Sequence, residues 1–542
     1  MAQNILFIMC DQLRYDYLGC TGHPTIRTPN IDRLAARGVL FRQAFVQSPI
    51  CGPSRMSFYT GRYMTSHGST WNMAPLRVGE WTIGDHLNPL GMRTVLCGKS
   101  HVTADLDGMA RLGIDPDSQK GAKIAQGGFE VWDRLDGIHP PKSSKRPTHY
   151  NDYLKRRGYS GDNPWAEHVA MVEGHDGEAV SGWFYETLDR PARVAAEDSE
   201  TAYTAARARE FIEGADDRPW CLHLSFIKPH WPYAAPAPYH AMYGANDVIP
   251  VNDGADAEAP DHPVLEAFRN LRHSQVFSRP GVREKVIAAY MGLVTQIDDE
   301  VGKLVTWLEE TGRADDTVIV FTSDHGDYLG DHRLGEKELF HNASARIPLI
   351  VVDPSHAADA TRGTASDALV EAIDLLPSFV EIAGGVPQPH ILEGHSLLPI
   401  LHGSGGDWPR DVVFSEADYS YRLARETLGQ GIPDCRLQMV YDGRYKLIRA
   451  EGFRPMLYDL AEDPSETHDL AGDPEASSQI APVIDRLTAR LLRWATAYHG
   501  RITRSDPEIA EIAGQEFHTG ILIGFEGPND LAEATEKGHG GN

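Results

Sequence analysis

Continuous apolar runs alternate with helical, amphipathic ones through residues 1–400. Asn4 to Cys10 has no polar residue at alternate positions, the pattern of a strand covered on both faces in a parallel sheet. Val39–Val46, Cys221–Phe226, Thr317–Thr322 and Ile347–Val352 read as further strands, and an apolar run from Arg93 to Cys97 leads into Gly98-Lys99-Ser100-His101. Helices are predicted over Pro29–Arg37, with Thr28 as N-cap, Pro29 in the first turn and Gly38 as stop, and over Trp81–Leu90, closed by Gly91. Others are predicted over about 199–213, 281–312 and Ala368–Ala383; in the second of these Val286, Tyr290, Leu293, Ile297, Val301 and Leu304 share one face. Strands alternating with helices predict a doubly wound α/β domain with a large mixed sheet, whose ligands sit at the carboxyl ends of the strands. Residues 103–195, rich in Gly and Pro, read as insertions over one end of that sheet.

Beyond about residue 400 the pattern changes. Val412–Phe414, Leu437–Tyr441, Tyr445–Arg449 and Met456–Leu460 are short runs joined by turns such as Asp442-Gly443, which predicts a small antiparallel sheet. A helix over about 477–498 and a polar tail follow, and the tail holds one apolar run, Phe517–Phe525, suited to docking on this or another subunit. Residues 1–400 and 401–542 are therefore expected to form a large domain and a smaller one.

At 542 residues, with 41% hydrophobic and 24% charged residues, the chain is globular in composition. Its net charge of −26 argues against nucleic acid or an anionic membrane as partner. The six cysteines, at 10, 20, 51, 97, 221 and 435, show no paired spacing, and no segment is apolar enough to span a bilayer. The first ten residues lack a basic leader, and Asp11 cuts the apolar run short, so a cytoplasmic location is expected.

The chemistry gathers around Ser48-Pro49-Ile50-Cys51-Gly52-Pro53-Ser54-Arg55. Pro53 suits the first turn of a helix, which puts Cys51 at the N-terminus, where free N–H groups favour an anion. Arg55, four residues on, returns to the face of Cys51. Asp11 and Asp324 each lie just beyond an apolar strand, with Gln12 and His325 beside them. Carboxylates gathered at one sheet edge repel each other, and a divalent cation is the natural reason to collect them.

Cys-x-Pro-x-Arg followed by Thr60-Gly61-Arg62 resembles the maturation signature of the type I sulfatases, in the alkaline phosphatase superfamily. The Thr28-Pro29-Asn30-Ile31-Asp32-Arg33-Leu34 helix, Gly98-Lys99-Ser100-His101, Lys228-Pro229-His230, Thr322-Ser323-Asp324-His325-Gly326-Asp327 and Met456-Leu457-Tyr458-Asp459 extend the resemblance in the family's order, from residue 4 to about 475. It implies that Cys51 is oxidised by a formylglycine-generating enzyme to formylglycine, whose hydrated aldehyde is the nucleophile. It further implies Asp11, Gln12, Asp324, His325 and the matured residue 51 as metal ligands, and Arg55 as the residue holding the hydrate. Lys99, His101, His230 and Lys337 would bind the anionic ester and protonate its leaving oxygen, and Asn72 matches a substrate contact. Many sulfatases have Asp and Asn where this chain has Gln12 and His325. All-oxygen ligation favours Ca²⁺, whereas a histidine admits Mn²⁺. Overall the chain resembles dimeric arylsulfatases and phosphonate monoester hydrolases, but the phosphonate enzymes resemble Gly-Tyr-x-Thr where this chain has Gly98-Lys99-Ser100-His101. The first expectation is thus a sulfatase of a small, aryl sulfate monoester, the second a phosphonate monoester or phosphodiester hydrolase, and the third a non-catalytic metal- or anion-binding relative. A homo-oligomer, dimer or tetramer, is also implied.

The third reading separates from the others by mass. In protein from a host that carries the maturation enzyme, the peptide containing Cys51 is expected to show an aldehyde in place of the thiol. An unmodified thiol throughout would favour the non-catalytic relative.

Overall fold

The structure, a computed structural model, describes residues 4–137, 139, 148–252, 262–473, 477–497, 499–513, 520 and 522–536. Its strands in chain order are β1 (Asn4–Asp11), β2 (Val39–Phe45), β3 (Arg93–Gly98), β4 (Glu130–Arg134), β5 (Met171–Glu173), β6 (Ala179–Ser181), β7 (Trp220–Pro229), β8 (Thr317–Ser323), β9 (Arg346–Val352), β10 (Thr364–Glu371), β11 (Val413–Asp418), β12 (Arg436–Tyr441), β13 (Tyr445–Ala450) and β14 (Met456–Asp459). Among the described residues eight of them form one sheet in the order β10-β2-β9-β8-β1-β7-β3-β4. β9 runs antiparallel to both its neighbours, β2 and β8; every other pairing in the sheet is parallel.

The unbroken apolar character of β1 follows from its place in the middle. Leu6, Ile8 and Cys10 face a core built with Val286, Tyr290, Leu293 and Ile297 of the helix Val282–Glu310. Ile5, Phe7 and Met9 face the opposite core, with Met56 and Phe58 of the helix Cys51–Thr60 and with Leu376 and Phe379. With both faces covered, no position is left for a polar residue. His223, on neighbouring β7, is the exception: its ring stacks on Phe7 at 4.5 Å, Tyr59 Oη lies 3.0 Å from its Nε2, and burial with nearby Arg55 pushes its pKa down to about 3. Neutral and paired, it packs as a core residue.

Three sequence expectations change here. Ala368–Ala383 is not one helix: Ala368 to Glu371 end the edge strand β10, parallel to β2, and the helix runs over Leu375–Ile382. Leu369 and Val370 point to opposite cores, the alternation of a strand at its buried end. Within 103–195, read as insertions, Glu130–Arg134 joins the main sheet as the edge strand β4, and β5 and β6 pair as a separate ladder. The helix Pro29–Arg37 forms as expected, but the Thr28 hydroxyl does not cap it. That oxygen accepts from the Gly19 N–H (2.8 Å) and donates to Asp32 (3.1 Å). Asp298, from the long helix, accepts the free N–H groups of Asn30 (3.0 Å) and Ile31 (2.7 Å) instead. Gly302, one turn on, leaves no room for a Cβ, which would lie 2.3 Å from the Asn30 side chain.

β11 to β14 form the small antiparallel sheet. Asp442 Oδ1 accepts from the Arg444 and Tyr445 N–H groups and Gly443 adopts φ 90°, which makes the tight turn between β12 and β13. The helix Ser477–Ala495 packs Leu487, Leu491 and Trp494 against Val440, Leu447 and Leu457 of this sheet. Residues 517–519 and 521 of the 517–525 run lie outside the described residues, and Leu522 and Ile523 are exposed. Cys10, Cys97 and Cys221 are core residues, and none of the six cysteines is in a disulfide. Among the described residues no helix is long and apolar enough to cross a membrane.

The parallel order has one consequence for chemistry. β8, β1, β7 and β3 are consecutive and parallel, so the residues after their carboxyl ends (Asp324 and His325, Asp11 and Gln12, His230, Lys99 and His101) emerge side by side at one edge.

Replacing the borrowed cap tests how that edge is braced. Asp298→Ala leaves two helix N–H groups without acceptors and is expected to lower stability by about 1–3 kcal/mol in urea unfolding. A change within about 0.5 kcal/mol, the level of an inert surface substitution, would contradict the assignment.

Candidate active site

The helix Cys51–Thr60 is buried along its whole length, and its first residue carries the cysteine. Ile50 precedes it in extended conformation and has no side-chain acceptor to offer, so the cap comes from elsewhere: Asn72 Oδ1 accepts the Gly52 N–H at 2.8 Å. Only a glycine fits there, because a Cβ on Gly52 would stand 2.9 Å from the Asn72 Cα. Asn72, expected against substrate, thus has its carbonyl committed to the helix that presents residue 51.

Arg55 ties the cluster together. Its Nε donates to Asp324 Oδ2 (2.8 Å), one terminal nitrogen to Asp11 Oδ2 (3.2 Å), and the other to the Lys99 carbonyl (2.9 Å) and Ser225 Oγ (2.7 Å). All three ionic side chains, Arg55, Asp11 and Asp324, are fully buried. Burial alone would pull the guanidinium down, yet Asp324, Tyr59 and Asp11 hold it charged above its ordinary value. Ser54 Oγ donates to the Asp324 carbonyl (2.5 Å), so consecutive residues of the helix grip one strand end.

Asp11, Cys51, Asp324 and His325 place one ligand atom each within 4.8 Å of one another. His325 Nε2 lies 3.1 Å from Cys51 Sγ, and Asp11 Oδ1 lies 3.7 Å from it. His325 Nδ1 is committed to the Gly326 carbonyl (2.8 Å), so Nε2 is the atom turned to the cluster, as in metal-binding imidazoles. Two carboxylates, an imidazole and a sulfur, buried together, fit a single divalent cation. Gln12, also expected as a ligand, accepts from Lys337 Nζ through Oε1 (2.7 Å) and donates through Nε2 to Asp327. Its backbone N–H reaches Asp324 Oδ1 (3.0 Å).

Cations surround residue 51. Burial raises the Cys51 thiol, but Lys337, Lys99 and His325, with a hydrogen-bonding contribution from His101, pull it well below its ordinary value. Lys99 Nζ pairs with Asp11. Burial and Cys51 push the Asp11 carboxyl up, yet Lys99, His230 and Arg55 outweigh them and hold it far below the usual carboxylate range. His230 Nε2 stands 3.9 Å from Asp11 Oδ1, while its Nδ1 is committed to the Trp231 carbonyl (2.8 Å). The structure therefore brings Cys51, Arg55, Lys99, His101, His230, Lys337, Asp11, Gln12, Asp324 and His325 to one place, in an otherwise strongly acidic chain.

Several positioning residues carry no motif. Asp136, after β4, accepts the N–H groups of Ser100 (2.9 Å) and His101 (3.0 Å), and so shapes the loop that holds Lys99 and His101. Burial pushes its carboxyl up, but Arg134 and those N–H groups outweigh it and hold the pKa down at about 2. Asp327 takes the Tyr233 hydroxyl (2.6 Å) beside Gln12, and Lys228 Nζ ties the Pro232 carbonyl (2.8 Å) across His230. Asp327 closes the Ser-Asp-His-Gly-Asp run and was within reach of the motif; Asp136 sits in a stretch with no such signal. Backbone strain marks the same place. Gln12 (φ 69°), His101 (φ 55°), Glu336 (φ 65°) and Glu338 (φ 90°) all adopt left-handed backbone, which is uncommon outside glycine and clusters at functional sites.

Comparisons with known proteins agree with this geometry. The Sulfatase family model matches residues 3–386, and the model for the C-terminal part of N-sulphoglucosamine sulphohydrolase matches residues 330–495. The multifunctional alkaline phosphatase superfamily protein PehA of Trinickia caryophylli is 31% identical, over 93% of this chain and 98% of its own length. An arylsulfatase of Clostridium perfringens is 28% identical, over 89% of this chain and 92% of its own. Among solved structures, the phosphonate monoester hydrolase SpPMH of Silicibacter pomeroyi superposes with a TM-score of 0.76 at 28% identity, covering 91% of this chain and 95% of that one.

Asp136 provides the test of the positioning shell. Asp136→Ala is expected to lower kcat/KM for an ester substrate by about 10–100-fold, as loss of an outer-shell partner does, with Asp136→Asn less affected because its carbonyl still accepts. Activity within twofold of the parent for Asp136→Ala would show that the loop holds itself.

Proposed function

The chain belongs to the sulfatase family, and on that premise we propose that it hydrolyses a small aryl sulfate monoester at residue 51. The observation that carries this reading is the pair Lys99 and His101, which enter the Cys51 cluster from the end of β3. In our reading Cys51 is the precursor of formylglycine, made by a separate maturation enzyme, and its sulfur stands where the hydrate oxygens of the matured residue would be. Asp11, Asp324, His325 and residue 51, with Gln12 beside them, would hold one divalent cation, Ca²⁺ or Mn²⁺. When bound, such an ion neutralises anionic charge and makes a hydroxyl of the matured residue easier to ionise.

The chain's own residues supply the rest. Arg55 fixes the two carboxylates and, one turn down its helix, the position of residue 51. Lys337 and Lys99 meet the charged oxygens of the ester and the charge that grows on them in the transition state. Lys337 is well suited: burial alone would pull its ammonium down, but Cys51 and Glu336 hold it above its ordinary value, and Gln12 orients it. His230 would protonate the departing alcohol oxygen. With Nδ1 bonded to the Trp231 carbonyl, Nε2 is the ring atom turned to residue 51 and Asp11, and it would carry that proton. His101, which hydrogen-bonds residue 51, is the second imidazole for that role.

A second reading, hydrolysis of phosphonate monoesters or phosphodiesters, is favoured by the likeness to SpPMH and PehA. Sulfate and phosphonate esters both present a tetrahedral anion with one leaving oxygen, and some activity on each is expected.

A side-by-side measurement separates them. On matured protein, kcat/KM is expected to be higher for an aryl sulfate than for the matching aryl phosphonate monoester. Lys99→Ala or His101→Ala should cut the sulfate value by on the order of 100-fold or more and narrow the preference. A phosphonate preference that survives both substitutions would overturn the sulfate reading.

A further inference from the structure

A cavity of about 770 Å³ opens beside His230, larger than one aromatic ring needs and within the range of small-molecule sites. Trp183 and Phe184, just after β6, and Trp231 and Tyr233, just after β7, line one part of it, with the two tryptophan rings in contact. Glu336 closes it next to Lys337. Two of its lining residues, Trp231 and Glu336, are thus the chain neighbours of His230 and Lys337, and residue 51 is not part of its lining.

Trp231 is the shared wall. Its ring lies 4.2 Å from the His230 ring, centroid to centroid, and 5.9 Å from Lys337 Nζ, and on the cavity side it meets Trp183 at 5.6 Å. Whatever oxygen receives a proton from His230 must sit at this end of the site, so the group attached to that oxygen runs along Trp231 towards Trp183. Aromatic rings stand at this end of the cavity, while Glu186, Arg272, His273, Gln275 and Arg279 line the remainder. Trp183 and Phe184 are 39% and 59% exposed, unusual for large apolar side chains placed together at the mouth of a cleft. The Tyr233 hydroxyl is committed to Asp327, which leaves its ring as wall, and the Trp231 indole N–H has no hydrogen-bond partner among the described residues.

We propose that this pocket takes the alcohol half of the ester, and that the alcohol is a flat aromatic one of at least two fused rings. The proposal rests on the functional reading above, because it is His230 as proton donor that fixes which way the leaving group points. It adds the location of the specificity pocket and the size of the group it accepts. Flat rings suit it because Trp183, Trp231 and Phe184 offer faces and edges for offset or edge contacts.

The free alcohol tests the pocket without turnover. Isothermal titration of the parent protein with 2-naphthol and with phenol is expected to show 2-naphthol binding at least about tenfold more tightly. Phe184→Ala and Trp183→Ala should each remove most of that difference. Phe184 is exposed enough that its replacement does not endanger folding, so a misfolded Trp183 variant leaves the test intact. In matured protein, 2-naphthol should also compete with an aryl sulfate, with the inhibition constant rising in the same variants. Equal binding of the two alcohols, or a preference unchanged by both substitutions, would overturn the pocket assignment. Binding of 2-naphthol by a matured protein that hydrolyses neither aryl sulfates nor aryl phosphonates would overturn the functional reading and leave an aromatic site.

Discussion

Two carboxylates, Asp11 and Asp324, are forced together at the ends of adjacent strands and fully removed from water. That repulsion is the constraint on which the rest of the structure depends. Arg55 answers it with a hydrogen bond to each, and loss of one member of such a buried network typically costs 3–5 kcal/mol because the remaining charge is stranded. Arg55 is therefore where the helix Cys51–Thr60 is anchored, and anchoring it one turn below residue 51 fixes what that residue faces. Arg55, Lys99 and Lys337 gather three cations around residue 51 inside a chain of net charge −26. A small anion is thus drawn to one place, while the surface as a whole repels polyanions.

The sheet provides the convergence, and the loops provide the orientation. Four consecutive parallel strands deliver their terminal residues to one edge, but a strand end alone does not aim a side chain. Asp136 aims Lys99 and His101, the Trp231 carbonyl and Lys228 aim His230, and the Gly326 carbonyl aims His325. Gln12 lies between Asp327 and Lys337, so a carboxylate, an amide and an ammonium hold one another in register. The left-handed backbone at Gln12, His101 and Glu336 is the cost of these orientations, maintained by the packing around them.

Much of this was legible in the sequence because it rests on local rules. Asn4–Cys10 and Thr317–Thr322 announce buried parallel strands by lacking polar alternation, and Pro53 and Arg55 announce the helix that carries Cys51. What was not legible depends on partners distant in the chain. Ala368–Glu371 is a strand because β2 offers it an edge, whereas its own composition suited a helix. Thr28 had the chemistry of a cap, but Asp298, far along the chain, took the position. Asp136 lies in a Gly-rich stretch where nothing local distinguishes a positioning carboxylate from a solvated one. The aromatic residues at 183, 184 and 231 form a wall only once β6 and β7 bring their ends together.

In our reading the buried carboxylates are gathered to hold one divalent cation on which ester hydrolysis at residue 51 depends. The most direct test is the metal content of the matured protein by inductively coupled plasma mass spectrometry, read alongside aryl sulfate hydrolysis during chelation and metal return. One divalent ion per chain is expected, with ion and activity lost together and restored together, and neither retained in Asp324→Asn. Full hydrolysis by protein shown to hold no metal would contradict that reading.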